Sequence, residues 1–264
     1  MLLTMPMRNS PSVEGGLELT FLGTGDAFAS HGRFQSGYMI EAADSKILMD
    51  PGPTALCAMK RGGFKPSDVD IILVSHLHGD HFGGLPFLLL EYVYESPRST
   101  KLVIAGPRHI EERTWRLFNT MFPGTKPDLP KLVGRLKFVV LEPGCDLKVG
   151  PIRLAAMRTP HMKPPEASLA LRLGVNNRTV VFSGDSGWTD QMVSFSAGAD
   201  LFLCECTYFD STDLDFHMNY PLLSANRDQF NVGRMILTHI GREVLDRIGD
   251  IKLEMAQDGM KVRV

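Results

Sequence analysis

Residues 75–81 read Ser-His-Leu-His-Gly-Asp-His and follow directly on the aliphatic run Ile71-Ile72-Leu73-Val74. Four side chains able to bind a metal, His76, His78, Asp80 and His81, stand close together there. Imidazole and carboxylate are donors that suit Zn²⁺ and related divalent ions. The β-branched run predicts a buried strand. Gly79-Asp80 breaks it, which places the cluster in a loop at the strand's carboxyl end. There the backbone curls, so that His76 and His78 face one ion while Asp80 and His81 face another.

The chain has 264 residues, 44% of them hydrophobic and 22% charged, enough for one generous core. A single domain over 1–264 is expected, with residues 1–16 as a loose lead-in. The net charge of −2 supplies no general basic field to hold a long polyanion, so no long nucleic-acid surface is expected. The four cysteines show neither a disulfide framework nor zinc-knuckle spacing. Cys204 and Cys206 flank Glu205 in an apolar run, which puts both thiols on one buried strand face. No leader pattern and no run of about 18 apolar residues occurs, so the reading is cytoplasmic and off the membrane. Association as a homodimer stays open.

Alternating Leu17–Leu22, then Tyr38–Ile40 and Lys46–Met49, read as strands ahead of the central one. Helices are expected over 54–61, from about 83 to 95 with Pro86 in its first turn, and over 107–122, with a short strand over 102–105 between the last two. Five strands follow in quick succession, over 138–141, 147–149, 152–157, 167–173 and 179–182. Asn176-Asn177 forms a hairpin turn between the last two, since Asn tolerates positive φ. Strands over 201–203 and 235–237 enclose a helix over 221–230. A closing helix over 243–255 and a final strand at 262–264 end the chain.

Two more histidines share the setting of the cluster. His161 follows the 152–157 strand and His239 follows the 235–237 strand, while Asp185 follows the 179–182 strand in Ser183-Gly184-Asp185-Ser186. All seven candidates therefore lie just past apolar strands, where a stacked sheet converges them on one edge. Three or four donors per ion suffice when a carboxylate and a water are shared between ions about 3.5–4 Å apart. The assignment is His76, His78 and His161 on one ion, Asp80, His81 and His239 on the other, and Asp185 bridging. The cofactor is thus two divalent ions, zinc first, with manganese or iron also suited by the donors.

Ser-His-Leu-His-Gly-Asp-His, then Thr-Pro-His, Ser-Gly-Asp-Ser and Thr-His in that order, resemble the metallo-β-lactamase superfamily over essentially the whole chain. The resemblance implies an α/β fold, an αββα sandwich of two mixed sheets with helices outside and a two-metal site on the sheet edges. Phe21-Leu22-Gly23-Thr24-Gly25, the Gly32-Arg33 loop, and Glu205-Cys206-Thr207 followed by His217 are similar to the ribonuclease Z-like branch of phosphodiesterases. In that branch a histidine equivalent to His217, supported by an acidic residue equivalent to Glu205, donates a proton or stabilises charge. Two departures stand out. His161 and Asp185 are only 24 positions apart, so the tRNA-gripping arm of that branch has no room. Asn219 stands where the family usually has Ser or Thr. Both argue against tRNA 3′-processing.

Two metal ions sharing a water generate a hydroxide nucleophile near neutral pH. Asp80 both ligates and aligns that nucleophile, and His217 with Glu205 protonates the leaving oxygen. Arg33 is the candidate to bind a phosphate oxygen with its planar fork. Asp50 at its strand end is read as an orienter of a metal-binding histidine rather than a ligand, and His31 and His109 receive no role. The expected function is a metal-dependent hydrolase, a phosphodiesterase on a small or cyclic phosphodiester or a nucleic-acid end. A thioester or lactam hydrolase with the same site, or a non-hydrolytic accessory protein, are the alternatives.

Overall fold

Strands that alternate apolar and polar residues bury one face, and here two sets of them share one interior. A computed structural model of the chain describes residues 16–264 apart from 44, 99 and 126–128, so all but Gly16 of the expected lead-in lies outside the described residues. The first sheet contains β1 (Leu17–Gly23), β2 (Gly37–Ala42), β3 (Ser45–Met49), β4 (Ile71–Leu73), β5 (Leu102–Gly106) and β6 (Leu136–Val140). The closing strand Lys261–Arg263 (β13) joins it, in the order β13-β1-β2-β3-β4-β5-β6. The second contains β7 (Asp146–Val149), β8 (Ile152–Thr159), β9 (Ser168–Val175), β10 (Arg178–Phe182), β11 (Leu201–Glu205) and β12 (Arg234–Thr238), ordered β12-β11-β10-β9-β8-β7. Both sheets are mixed: β3 to β6 and β10 to β12 pair in parallel, the rest antiparallel.

Leu19, Phe21, Ile40, Ile47, Ile71 and Leu73 of the first sheet meet Leu154, Leu169, Leu171, Val180, Phe182 and Leu203 of the second in the central apolar layer. The opposite face of the first sheet is covered by α1 (Ala55–Arg61), α3 (Leu85–Tyr94), α4 (Ile110–Met121) and the short α5 (Pro130–Val133). That of the second is covered by α6 (Asp190–Ser196), α7 (Tyr220–Ala225) and α8 (Arg242–Asp246). The layers are therefore α, β, β, α. Cys204 and Cys206 are fully buried in the outer layer of the second sheet, whereas Cys57 is exposed. No helix among the described residues is long and apolar enough to cross a membrane.

Most expected elements are present with shifted ends, and the Asn176-Asn177 hairpin turn has both residues at positive φ, 49° and 59°. Three expectations change. Gly79–Phe82 (α2) is a single helical turn rather than a loop, so Asp80 and His81 ride on its two middle residues. The closing helix stops at Asp246; after a 3₁₀ turn at Ile248–Asp250 the chain runs extended. The backbone of Leu237 then claims it, with its N–H on Glu254 O (2.8 Å) and its carbonyl taking Ala256 N–H (2.8 Å). Lateral pairing with β12 outweighs the helical pattern there. Helix α6 is an addition to the expected elements; its start is marked by Thr189, whose hydroxyl accepts from Gln191 N–H.

Candidate metal centre

Parallel pairing sends the carboxyl ends of β10, β11 and β12 to one edge. β8 runs the same way, because β8 and β10 both pair antiparallel with β9. The first sheet delivers the end of β4 to that edge, where Ser75 O takes the Leu169 N–H at 3.1 Å. His76 and His78 follow β4, His161 follows β8, Asp185 follows β10 and His239 follows β12. Gly184 turns the chain in front of Asp185 at φ +57°, where a β-carbon would stand 2.4 Å from Leu169 O, so glycine is required.

The seven side chains converge in two groups, His76, His78, His161 and Asp185 in one, and Asp80, His81, His239 and Asp185 in the other. Within each group one donor atom per residue lies within 4.8 Å of all the others. Asp185 belongs to both: Oδ2 is 3.6 Å from His76 Nε2, 3.6 Å from His161 Nε2 and 3.5 Å from His239 Nε2, and Oδ1 is 3.2 Å from His81 Nε2. Asp80 Oδ2 reaches His81 Nε2 at 3.1 Å and His239 Nε2 at 3.2 Å. His78 Nδ1 and His161 Nε2 are 3.1 Å apart, close to the edge of about 3.3 Å that two tetrahedral donors at Zn–N lengths would span. His76 Nε2, His81 Nε2 and Asp185 Oδ1 are buried and lack a hydrogen-bond partner. Buried polar atoms are normally satisfied, and three such orphans facing one another fit a divalent cation.

The opposite nitrogens are held from behind. His81 Nδ1 donates to Asp50 Oδ2 (2.7 Å), and Asp50 also accepts from Ser75 N–H (2.7 Å) and Ser75 Oγ (2.5 Å). His161 Nδ1 donates to the Phe216 carbonyl (2.8 Å), and His239 Nδ1 to Thr207 Oγ1 (2.9 Å). Such contacts select the tautomer that points a bare nitrogen inward. His239 sits at φ +52° and Asp50 at +46°, a region costly for side-chain-bearing residues and characteristic of functional sites. Burial drives the His76, His78 and His161 rings toward the neutral form. Burial opposes charge on His81 and His239, but Asp185 beside both, with Asp80, pushes them up. Burial likewise opposes ionisation of Asp185, yet His239, His81 and His76 hold its carboxyl well below the usual carboxylate range.

Glu205 and His217 stand against this centre. His217 Nδ1 donates to Glu205 Oε1 at 2.7 Å, and its ring stacks on His239 with centroids 5.4 Å apart and lies 4.6 Å from that of His161. Fully buried Glu205 also accepts from Ser186 N–H (2.9 Å) and Thr207 Oγ1 (2.9 Å). Burial alone would discharge His217, but the Glu205 carboxylate outweighs it and pushes the ring up to about 9. Arg33 is engaged within the fold through one nitrogen. Its Nη1 donates to Thr24 Oγ1 (2.7 Å) and the Ala256 carbonyl (2.8 Å), tying a loop to the C-terminal segment. His31 pairs with Asp246 and His109 with Glu112, both exposed.

The family model for the anti-Pycsar protein Apyc1 matches residues 17–258, nearly the whole chain. The chain belongs to the Apyc1 family of metallo-β-lactamase-fold proteins. The anti-Pycsar protein Apyc1 of Paenibacillus sp. (strain J14) is 30% identical over 180 residues, covering 67% of this chain and 70% of that protein. The probable metallo-hydrolase YhfI of Bacillus subtilis is 26% identical over 85% of this chain and 87% of its own. The YhfI crystal structure superposes with a TM-score of 0.71 at 23% identity, covering 94% of this chain and 99% of that one. Human tRNase Z, short form, gives a TM-score of 0.73 at 22% identity, covering 93% and 98%. These likenesses show the same fold, as the ribonuclease Z-like resemblance implied. Between His161 and Asp185 the structure holds only β9 and β10, and no arm. Fold and donor set together are those of a metal-dependent hydrolase.

Thr207 and the Phe216 carbonyl went unassigned in the sequence. Thr207 is close to Glu205 in the chain, a faint signal; a backbone carbonyl leaves none.

Proposed function

We propose that this chain is a binuclear phosphodiesterase acting on a small or cyclic phosphodiester, with zinc as the first candidate metal. The observation that carries the reading is the Glu205–His217 pair set against the two donor groups. Two divalent ions held by His76, His78, His161, Asp80, His81, His239 and Asp185, the residue common to both donor groups, would supply Lewis acidity toward phosphoryl oxygens and an acidified water at neutral pH. The chain's own residues do the rest. Asp80 keeps Oδ1 to accept a hydrogen bond from the attacking water and hold it in line. His217 keeps a proton on Nδ1 for Glu205, so Nε2, on the far side of the ring, carries the proton for the departing alkoxide. A thioester, whose thiolate leaves without a proton, makes less use of such a donor, and transfer of this kind contributes about 10²–10⁴-fold.

Relatives with ribonuclease and diphosphatase names support phosphoryl chemistry. The missing arm and the net charge of −2 weigh against tRNA and favour a compact substrate. The test is the metal-loaded protein assayed against bis-p-nitrophenyl phosphate, a small cyclic phosphodiester and a thioester panel. Turnover of the phosphodiesters with silence on the thioesters is the expected outcome. The reverse pattern makes the protein a carbonyl hydrolase, and silence on all of them overturns the phosphodiesterase reading.

A further inference from the structure

The segment that carries His217 is an arch rising from the second sheet. Its base is closed by Tyr208 N–H on Met218 O (3.1 Å) and Tyr220 N–H on Tyr208 O (2.8 Å). Asp210, Thr212, Asp213, Asp215 and Phe216 are exposed, so apolar packing contributes little to holding the arch's outer part. Hydrogen bonds place it instead: at the His217 end the Phe216 carbonyl accepts from His161 Nδ1 (2.8 Å), and the opposite end is held by Glu243. One side chain supplies four: Glu243 Oε2 accepts the N–H groups of Phe209 (2.9 Å), Asp210 (2.8 Å) and Ser211 (2.9 Å), and Oε1 accepts the Ser211 hydroxyl (2.5 Å). Charge-assisted bonds of this kind are about twice as strong as neutral ones.

Glu243 itself stands on α8, which begins three residues after His239. The backbone of Gly241 approaches Thr207 so closely that a β-carbon would lie 2.2 Å from Thr207 O. The helix is therefore fixed relative to the metal centre, and the carboxylate reaches from it to the arch. Arg247, one turn on, adds a pair to Asp210 (2.9 Å) and lies over the Phe209 ring at 5.0 Å. Burial works against charge on Glu243, but the Ser211 hydroxyl and the three N–H groups bring its carboxyl down to about 2, so the anchor is ionised throughout the working range.

We propose that Glu243 is a positioning residue for the phosphodiesterase reaction, fixing the 207–219 arch so that His217 meets the leaving oxygen. The inference rests on the His217 reading above. Replacing the carboxylate leaves donors that water can reach, so the expected consequence is a looser arch on an intact fold. In Glu243→Gln, amide exchange at 209–211 should accelerate at least about tenfold, with and without metal, as local opening becomes easier. Metal content should stay at the wild-type level. kcat on an alkyl phosphodiester should fall about tenfold with KM little changed, and less on a p-nitrophenyl ester, whose leaving group needs no proton.

A double-mutant cycle separates positioning from plain stabilisation. If Glu243 acts through His217, Glu243→Gln should add almost nothing to His217→Ala on the alkyl substrate. Full additivity overturns the proposal, as does faster exchange with unchanged kcat. Should Glu243→Gln fold poorly, Ser211→Ala removes one of the four bonds and should show the same signature, smaller; an effect that does not depend on the leaving group overturns it. Equal losses for His217→Ala itself on both substrates would defeat the acid reading instead, a result distinguishable because the exchange data at 209–211 are read independently of it.

Discussion

Asp50 Oδ2 takes the Nδ1 proton of His81 at 2.7 Å, and both side chains are fully buried. The same carboxylate holds the main chain and hydroxyl of Ser75, the residue before His76. One buried acid therefore orients the donors of both groups.

Asp50→Asn should lower metal affinity about 10–100-fold, the usual cost of losing such an orienting partner. Asp50→Ala should also destabilise the fold by roughly 3 kcal/mol or more, because each buried donor left unpaired costs about 1–3 kcal/mol. Metal titration and denaturant unfolding read the two effects. Wild-type values in both variants would assign the orienting role elsewhere.

The backbone of Asp215 crosses close over Gly187, where a β-carbon would lie 1.6 Å from the Asp215 carbonyl oxygen. No side-chain rotation relieves that contact, so Gly187→Ala must lift the arch. An activity loss of at least about tenfold is expected on an alkyl phosphodiester, a fraction of what a general acid provides, with metal content retained. Wild-type turnover would show that the arch tolerates displacement.

Metal removal should be visible without any substrate. With His76 Nε2, His81 Nε2 and Asp185 Oδ1 lacking partners, stripping divalent ions should lower Tm, and zinc should restore it as mass action requires. Asp185→Ala, which removes the one residue common to both donor groups, should abolish most of that zinc-dependent rise. A metal-independent Tm in the wild type would contradict the site.

Much of this centre was legible because its donors obey one rule: each stands just past an apolar strand, and strand ends can be read from periodicity. The parts that were not legible follow other physics. His161 is oriented by a main-chain carbonyl, which no residue type marks. Arg33 sits in a polar loop that equally suits a ligand or a tie, and its contacts with Thr24 and Ala256 leave no mark in the sequence. Residues 247–255 carry helical spacing, but Gly249 and pairing to Leu237 pull them out of the helix.

The role of His217 bears most directly on the central claim. Its Nδ1 is committed to Glu205 and its ring lies beside His161 and His239. The decisive measurement is kcat/KM of metal-loaded wild type and His217→Ala on an alkyl phosphodiester and on bis-p-nitrophenyl phosphate. Loss of the proton donor should cost on the order of 10²-fold or more on the alkyl ester and much less on the aryl one, with metal content unchanged. Equal losses on both substrates, or loss of metal with the ring, would contradict the account.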